Sequence, residues 1–233
     1  MRFKHLLSTA AALSSFSLGS HAASVSWSLG PNFGGANGHQ GILTNGSLVQ
    51  AVNLTGQVQA SVVVDPGGLN ISFSNVDSPF FGNFFDDPAS GFPNNIGDAG
   101  WSAVIGKFEW NSGANVNAPS FLSGLSVGAT YQVQFFSGRS FPGVGNRSLA
   151  FGDGNGNFSP PIAMAANSFV SVVGTFVADA ATQHVTFNDS ANLPVVSAYV
   201  LREVAPIPEP GTWVMLAAGL ALLGAVAKRR TTV

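Results

Sequence analysis

Along the middle of the chain, apolar and polar side chains trade places every second residue. Tyr131, Val133 and Phe135 lie on one side of a run whose other side carries Gln132 and Gln134. Gln183, Val185 and Phe187 likewise oppose Thr182, His184 and Thr186. A period of two belongs to a half-buried strand, because successive Cβ atoms point to opposite faces. Leu48 to Leu54, Gln57 to Val64 and Leu69 to Phe73 read as further strands, broken by Thr55-Gly56 and by Asp65-Pro66-Gly67-Gly68. Ser168 to Val177 and Val195 to Arg202 are later ones. No body segment holds a long, capped 3.6-residue period, and only Trp101 to Trp110 has room for a short helix. Strands spaced about 8–15 residues apart, with Gly and Asn at the breaks, predict an all-β body. The expected architecture is an antiparallel β-sandwich, jelly-roll-like.

The two ends break this pattern. Arg2, Lys4 and His5 precede an apolar stretch from Leu6 to Leu18, and Ser20-His21-Ala22 follows with small residues. These are the three parts of a secretory signal peptide, with cleavage expected after Ala22 and Ala23 as the alternative. At the other end come Pro208-Glu209-Pro210, an uncharged run from Thr212 to Ala227, and then Lys228-Arg229-Arg230. As a helix the 16-residue run reaches about 24 Å. A bilayer core of about 30 Å exceeds that, and snorkelling cations or local thinning close the gap. The run therefore reads as a single C-terminal transmembrane helix. The positive-inside rule puts Lys228, Arg229 and Arg230 in the cytoplasm and the body outside. Pro208 and Pro210 lack amide donors, so the helix does not extend back through them, and Glu209 stays extended between them. The expected division is 1–22 signal peptide, 23–203 exported sandwich, 204–211 linker, 212–227 membrane helix and 228–233 cytoplasmic tail.

The tail, on Pro208, Glu209, Pro210, the apolar run and the three basic residues, resembles the PEP-CTERM proteins of Gram-negative bacteria. That resemblance implies recognition and processing by exosortase, a membrane-embedded cysteine transpeptidase-type enzyme. It also implies a setting of extracellular polysaccharide and biofilm matrix, with an inner-membrane precursor passing to the envelope or the exterior. The later half of the body, on Leu122 to Gln134, Gly174 to Asp179 and Ser197 to Arg202, resembles carbohydrate-binding-type jelly rolls in layout. That likeness bears on fold more than on function.

Charge sharpens the picture. The whole chain carries −2, but residues 23–203 hold four basic against ten acidic residues, a net of −6. Nucleic acid is thereby an unfavoured partner, since binding phosphates takes clustered Lys and Arg. With no cysteine, the exported body has neither disulfides nor thiolate metal sites. Nineteen phenylalanines supply ample apolar area to bury, so the sparse charge does not mean disorder.

Candidate chemistry in the body is thin. His39 and His184 have no neighbouring ligand at a metal spacing. Gly100-Trp101-Ser102-Ala103-Val104 lacks the last glycine of a nucleophile elbow. Asp153-Gly154-Asn155-Gly156-Asn157 is the most metal-like string, and Asp153, Asn155 and Asn157 offer oxygens suited to Ca²⁺. An EF-hand would place Gly and Glu where Phe158 and Met164 stand, and a Gly/Asn turn explains the string equally well. Asp86 and Asp87, with Asp98 or Glu109, are the carboxylates a glycoside hydrolase would use. Adjacent strand residues point apart, however, which argues against Asp86 and Asp87 acting together. Phe80, Phe81, Phe84 and Phe85 form either a plug at one end of the sandwich or an exposed docking patch. Trp27, Trp101 and Trp110 are either core residues or stacking faces for sugar rings. No catalytic constellation emerges and no resident cofactor is expected. The expectation is a non-enzymatic exported protein with a structural, adhesive or glycan-associated role, and the rival is a secreted hydrolase of matrix polysaccharide.

Overall fold

The computed structural model describes residues 22–33, 38–54, 62–85, 99–113, 115–139, 147–164, 168–191, 193–205 and 218–220. In chain order the early strands are β1 (Ser26–Leu29), β2 (Ser47–Leu54), β3 (Val62–Val64), β4 (Ile71–Val76) and β5 (Asn83–Phe85). Helix α1 (Ala99–Ile105) and β6 (Phe108–Trp110) follow, dividing the stretch in which a short helix was expected. Then come β7 (Asn115–Ser123), β8 (Thr130–Arg139), β9 (Arg147–Gly152), β10 (Ile162–Met164) and β11 (Ser168–Val177). The last are β12 (Thr182–Asp189), β13 (Val195–Val196) and β14 (Ala198–Val204).

A seven-stranded sheet runs β1-β11-β8-β14-β2-β4-β3, and a four-stranded sheet runs β10-β9-β12-β7. The body is thus mostly β and built as a sandwich. One neighbour pair departs from the antiparallel expectation: β2 and β4 are parallel, with Val52 opposite Ser74 and Leu54 opposite Val76. The cause is connectivity, because β4 lies between β2 and its own hairpin partner β3.

Alternation decides which residues fill the space between the sheets. From the large sheet come Tyr131, Val133 and Phe135 on β8, Tyr199 and Leu201 on β14, and Val172 and Phe176 on β11. From the small sheet come Leu149 and Phe151 on β9, Val185 and Phe187 on β12, and Val116 and Ala118 on β7. Phe135 and Phe151 stack across the gap with ring centroids 5.0 Å apart. Each such fully buried ring stabilises the fold by about 1.5–3 kcal/mol.

The other face of the large sheet, expected to be wet, is covered. Phe136, Ala198, Val200, Ala51, Ile71 and Phe73 pack there with Trp101, Val104 and Ile105 of α1 and with Phe33 and Ile42. Gln134 lies in this second layer at 0% exposure, and its amide is satisfied by chain that crosses the sheet. It accepts from the Leu43 amide at 2.9 Å and donates to the Gly41 carbonyl at 3.0 Å. Arg202 adds Nε to the Leu43 carbonyl at 2.7 Å and a terminal nitrogen to the Gly46 carbonyl at 3.0 Å.

A three-stranded sheet, β13-β6-β5, joins the main core through Val195, Val196 and Phe108. Phe81 is buried there against Phe187 at 5.0 Å, and Phe80 is half-buried against Phe121 at 6.1 Å. Of the two readings for the Phe80–Phe85 segment, these two residues follow the plug. The side chains of Phe84 and Phe85 lie outside the described residues.

Candidate functional site

Two features of the four-stranded sheet draw on the Asp153–Asn157 string. The first is a clamp on residues 22–25, just before β1. Asp153 is fully buried, and its carboxylate accepts from the Val25 amide at 3.2 Å, the Asn155 amide at 2.9 Å and Asn157 Nδ2 at 3.0 Å. Asn157 Nδ2 also donates to the Val25 carbonyl at 2.6 Å, and Asn155 Nδ2 donates to the Ala22 carbonyl. Gln183 Nε2 holds the Ala23 carbonyl at 3.0 Å. The string that looked metal-like therefore meets N–H donors at its carboxylate and uses its amides on main-chain carbonyls. Among the described residues no group of three or more His, Cys, Asp or Glu stands where it could hold a metal ion.

Gly154 is required at the tip. Its φ is +83°, and a Cβ there would run into the ring of His184, reaching Cε1 at 2.7 Å. His184, read as solvated or structural, thus has a packing role beneath the loop.

The second feature is a groove of about 290 Å³ beside this loop. It follows from register. Asn117 of β7 pairs with Thr186 of β12, which pairs with Gly152 of β9. One step along, Asn115 pairs with Asn188, which pairs with Ala150. Val116, Ala118 and Phe187 between them point into the core, so Asn115, Asn117, Thr186 and Asn188 share the outer face. Phe158 forms the wall, and Gly154 and Gly156 the rim. Phe158 is 44% exposed, with its ring standing over Gly152, where an added Cβ would meet Cε1 at 2.7 Å and also collide with Thr186 Oγ1. Thr186 is only 7% exposed, and its hydroxyl has no hydrogen-bond partner in the protein. Among the described residues none that lines the groove carries a charge.

Sequence reasoning passed over these groove residues. Their signal was the alternation Asn115-Val116-Asn117-Ala118 and Thr186-Phe187-Asn188, together with an aromatic directly after a Gly/Asn turn. The tryptophans offer no comparable face. Trp101 is fully buried and donates Nε1–H to the Phe33 carbonyl at 3.1 Å. Trp27 packs on Phe135 and Phe151, each at 6.4 Å, and Trp110 packs against the main core. Glu109 is buried and accepts from the Ser78 amide at 2.7 Å. Asp86, Asp87 and Asp98 lie outside the described residues. So do residues 1–21 of the expected leader, Pro208, Glu209, Pro210, Lys228, Arg229, Arg230 and most of the 212–227 run, of which residues 218–220 are described and helical. No helix among the described residues is long and apolar enough to cross a membrane.

The family model for the PEP-CTERM protein-sorting motif matches residues 206–230. The chain carries a PEP-CTERM sorting motif. That motif marks an exported, membrane-anchored precursor of Gram-negative bacteria, with an exosortase as its processing partner. Among curated proteins no sequence matches the chain. Among solved structures, the PEP-CTERM chain is similar to the ANXUR2 extracellular domain from Arabidopsis thaliana, at 10% identity and TM-score 0.46, over 69% of this chain and 49% of that one. It thus spans about half the length of that domain. A β-glucuronidase from Bacteroides uniformis matches at 10% identity and TM-score 0.42, over 67% of this chain and 18% of the enzyme. The CBM22-1 xylan-binding domain from Paenibacillus barcinonensis matches at 8% identity and TM-score 0.39, over 71% of this chain and 100% of that domain. At these scores the likenesses decide neither ligand nor activity.

Proposed function

We propose that this PEP-CTERM protein is a non-enzymatic component of the cell envelope or extracellular polysaccharide matrix. A signal peptide ending at Ala22 exports it, and residues 212–227 hold it in the inner membrane with Lys228, Arg229 and Arg230 on the cytoplasmic side. An exosortase-like enzyme then reads Pro208, Glu209 and Pro210 and processes the tail. The released sandwich acts as a structural, adhesive or glycan-associated element. The sorting motif at 206–230 carries this reading. Its non-enzymatic part is supported by Glu109, whose carboxylate is buried on a backbone amide instead of facing a cleft.

The test replaces Pro208, Glu209 and Pro210 together by alanine in the producing cells. The variant is expected to accumulate in the inner-membrane fraction at full precursor mass. Normal release of the triple variant would sink the sorting assignment.

A further inference from the structure

We propose that the groove on the outer face of the four-stranded sheet is a binding site for a neutral polysaccharide, with Phe158 as the stacking face and Asn115, Asn117 and Asn188 as the hydroxyl readers. The inference rests on the matrix-associated reading for where such a ligand is met, and on the groove itself for its chemistry.

Three properties select the ligand class. The described lining is uncharged, so a phosphate, sulfate or carboxylate would find no counter-charge in it. The net −6 of the body further disfavours polyanions. Next, each asparagine amide offers both a donor and an acceptor. Sugar hydroxyls have the same dual character, so rows of amides fixed at strand spacing suit adjacent hydroxyls on a ring. Last, the exposed ring of Phe158 gives the flat apolar surface on which the C–H face of a pyranose can lie.

Exposure is consistent with this: Asn115 and Asn117 are exposed and Asn188 is half-buried, so their amides are within reach of a ligand in the groove. The volume of about 290 Å³ lies near the lower end of small-ligand clefts, at roughly 300 Å³. That suits a short length of a chain passing through, not an enclosed molecule. Gly152 serves the same geometry, because any side chain there would push Phe158 and Thr186 out of place.

The experiment is affinity electrophoresis of the full chain in detergent, in native gels carrying xylan, mixed-linkage β-glucan or galactomannan, with alginate as the anionic comparison. Retardation by at least one neutral polysaccharide is expected, with none by alginate. Phe158→Ala and Asn117→Ala should each weaken that binding about tenfold or more. Asn117 is exposed, so its variant folds even if others do not. Failure of all three neutral polysaccharides overturns the proposal, as does binding unaffected by every variant, retardation by alginate alone, or groove-dependent self-association without glycan binding. None of these outcomes touches the sorting test, which reads the tail in cells.

Discussion

Arg147 and Asp189 show how few charges this body can place, and how tightly. Both are buried, with Nε 3.4 Å from Oδ2. Arg147 also donates to the Leu193 carbonyl at 2.8 Å, and Asp189 accepts from the Ala191 amide at 2.7 Å. The pair therefore pins the turn after β12 to the start of β9. Removing one partner takes away a counter-charge 3.4 Å from a buried ion, and breaking a buried pair in this way costs about 3–5 kcal/mol. Arg147→Met is expected to lower the melting temperature by roughly 6–20 °C, at about 2–4 °C per kcal/mol for a domain of this size. The double variant Arg147→Met with Asp189→Leu should recover most of that loss, because an apolar pair leaves no stranded charge. Thermal unfolding followed by circular dichroism measures both, and an additive double variant would contradict the account. The same arithmetic explains why alternation misread Gln134: sequence shows that a residue sits on the second face, not that residues 38–46 return to cover it.

At the scale of elements, β1 is the edge strand of the large sheet and depends on groups far along the chain. It pairs with β11 from Ser26 to Leu29, and just before it Ala23 and Val25 enter the core. Gln183, Asn157 and Asp153 hold the backbone of Ala23 and Val25. Cleavage after Ala23 would discard one core methyl and one of the two carbonyls to which Gln183 Nε2 donates, whereas cleavage after Ala22 keeps both and gives up only the Ala22 carbonyl held by Asn155. The mature protein is therefore expected to begin at Ala23, as read by intact mass or N-terminal sequencing. A form trimmed to Ser24 should be less stable by about 1–2 kcal/mol in urea titration. A native chain beginning at Ser24 with undiminished stability would remove the clamp's purpose. The Asp153–Asn157 string was legible as a turn with oxygen-rich side chains. Its actual target was not legible, since Ala22–Val25 lies about 130 residues upstream and turn chemistry is local information.

For the whole molecule, period-two alternation revealed β2, β4, β8, β11 and β12 because it is written in neighbouring residues. Val195 to Arg202, expected as one strand, divides into β13 and β14 of different sheets, and only Val62–Val64 of the expected Gln57–Val64 strand lies within the described residues. Sequence reasoning passed over β1, β5, β6, β7, β9 and β10. Alternation could not reveal the groove, because that depends on β7, β9 and β12 becoming neighbours although β8, β10 and β11 separate them in the chain. Pairing of distant strands is decided by packing, as when Phe187 of β12 lies opposite Phe151 of β9 with ring centroids 5.5 Å apart. The tail is the opposite case: charge, proline and apolar length are all local, so it could be read directly. Its physics supports one more test. A run of 16 residues spans about 24 Å as a helix, short of a core of about 30 Å. Apolar length alone then holds it weakly, and the cations at 228–230 must act as the stop. Translocating one such charge through the bilayer centre costs about 2.5–3.5 kcal/mol on insertion scales. Replacing Lys228, Arg229 and Arg230 by glutamine lowers that barrier at all three positions. Some of the precursor should then slip through whole and reach the medium ending at Val233, while the Pro208–Glu209–Pro210 variant stays in the membrane. Mass measurement of the secreted fraction separates the two. Retention of the glutamine variant with unchanged processing would mean that the apolar run alone sets the stop.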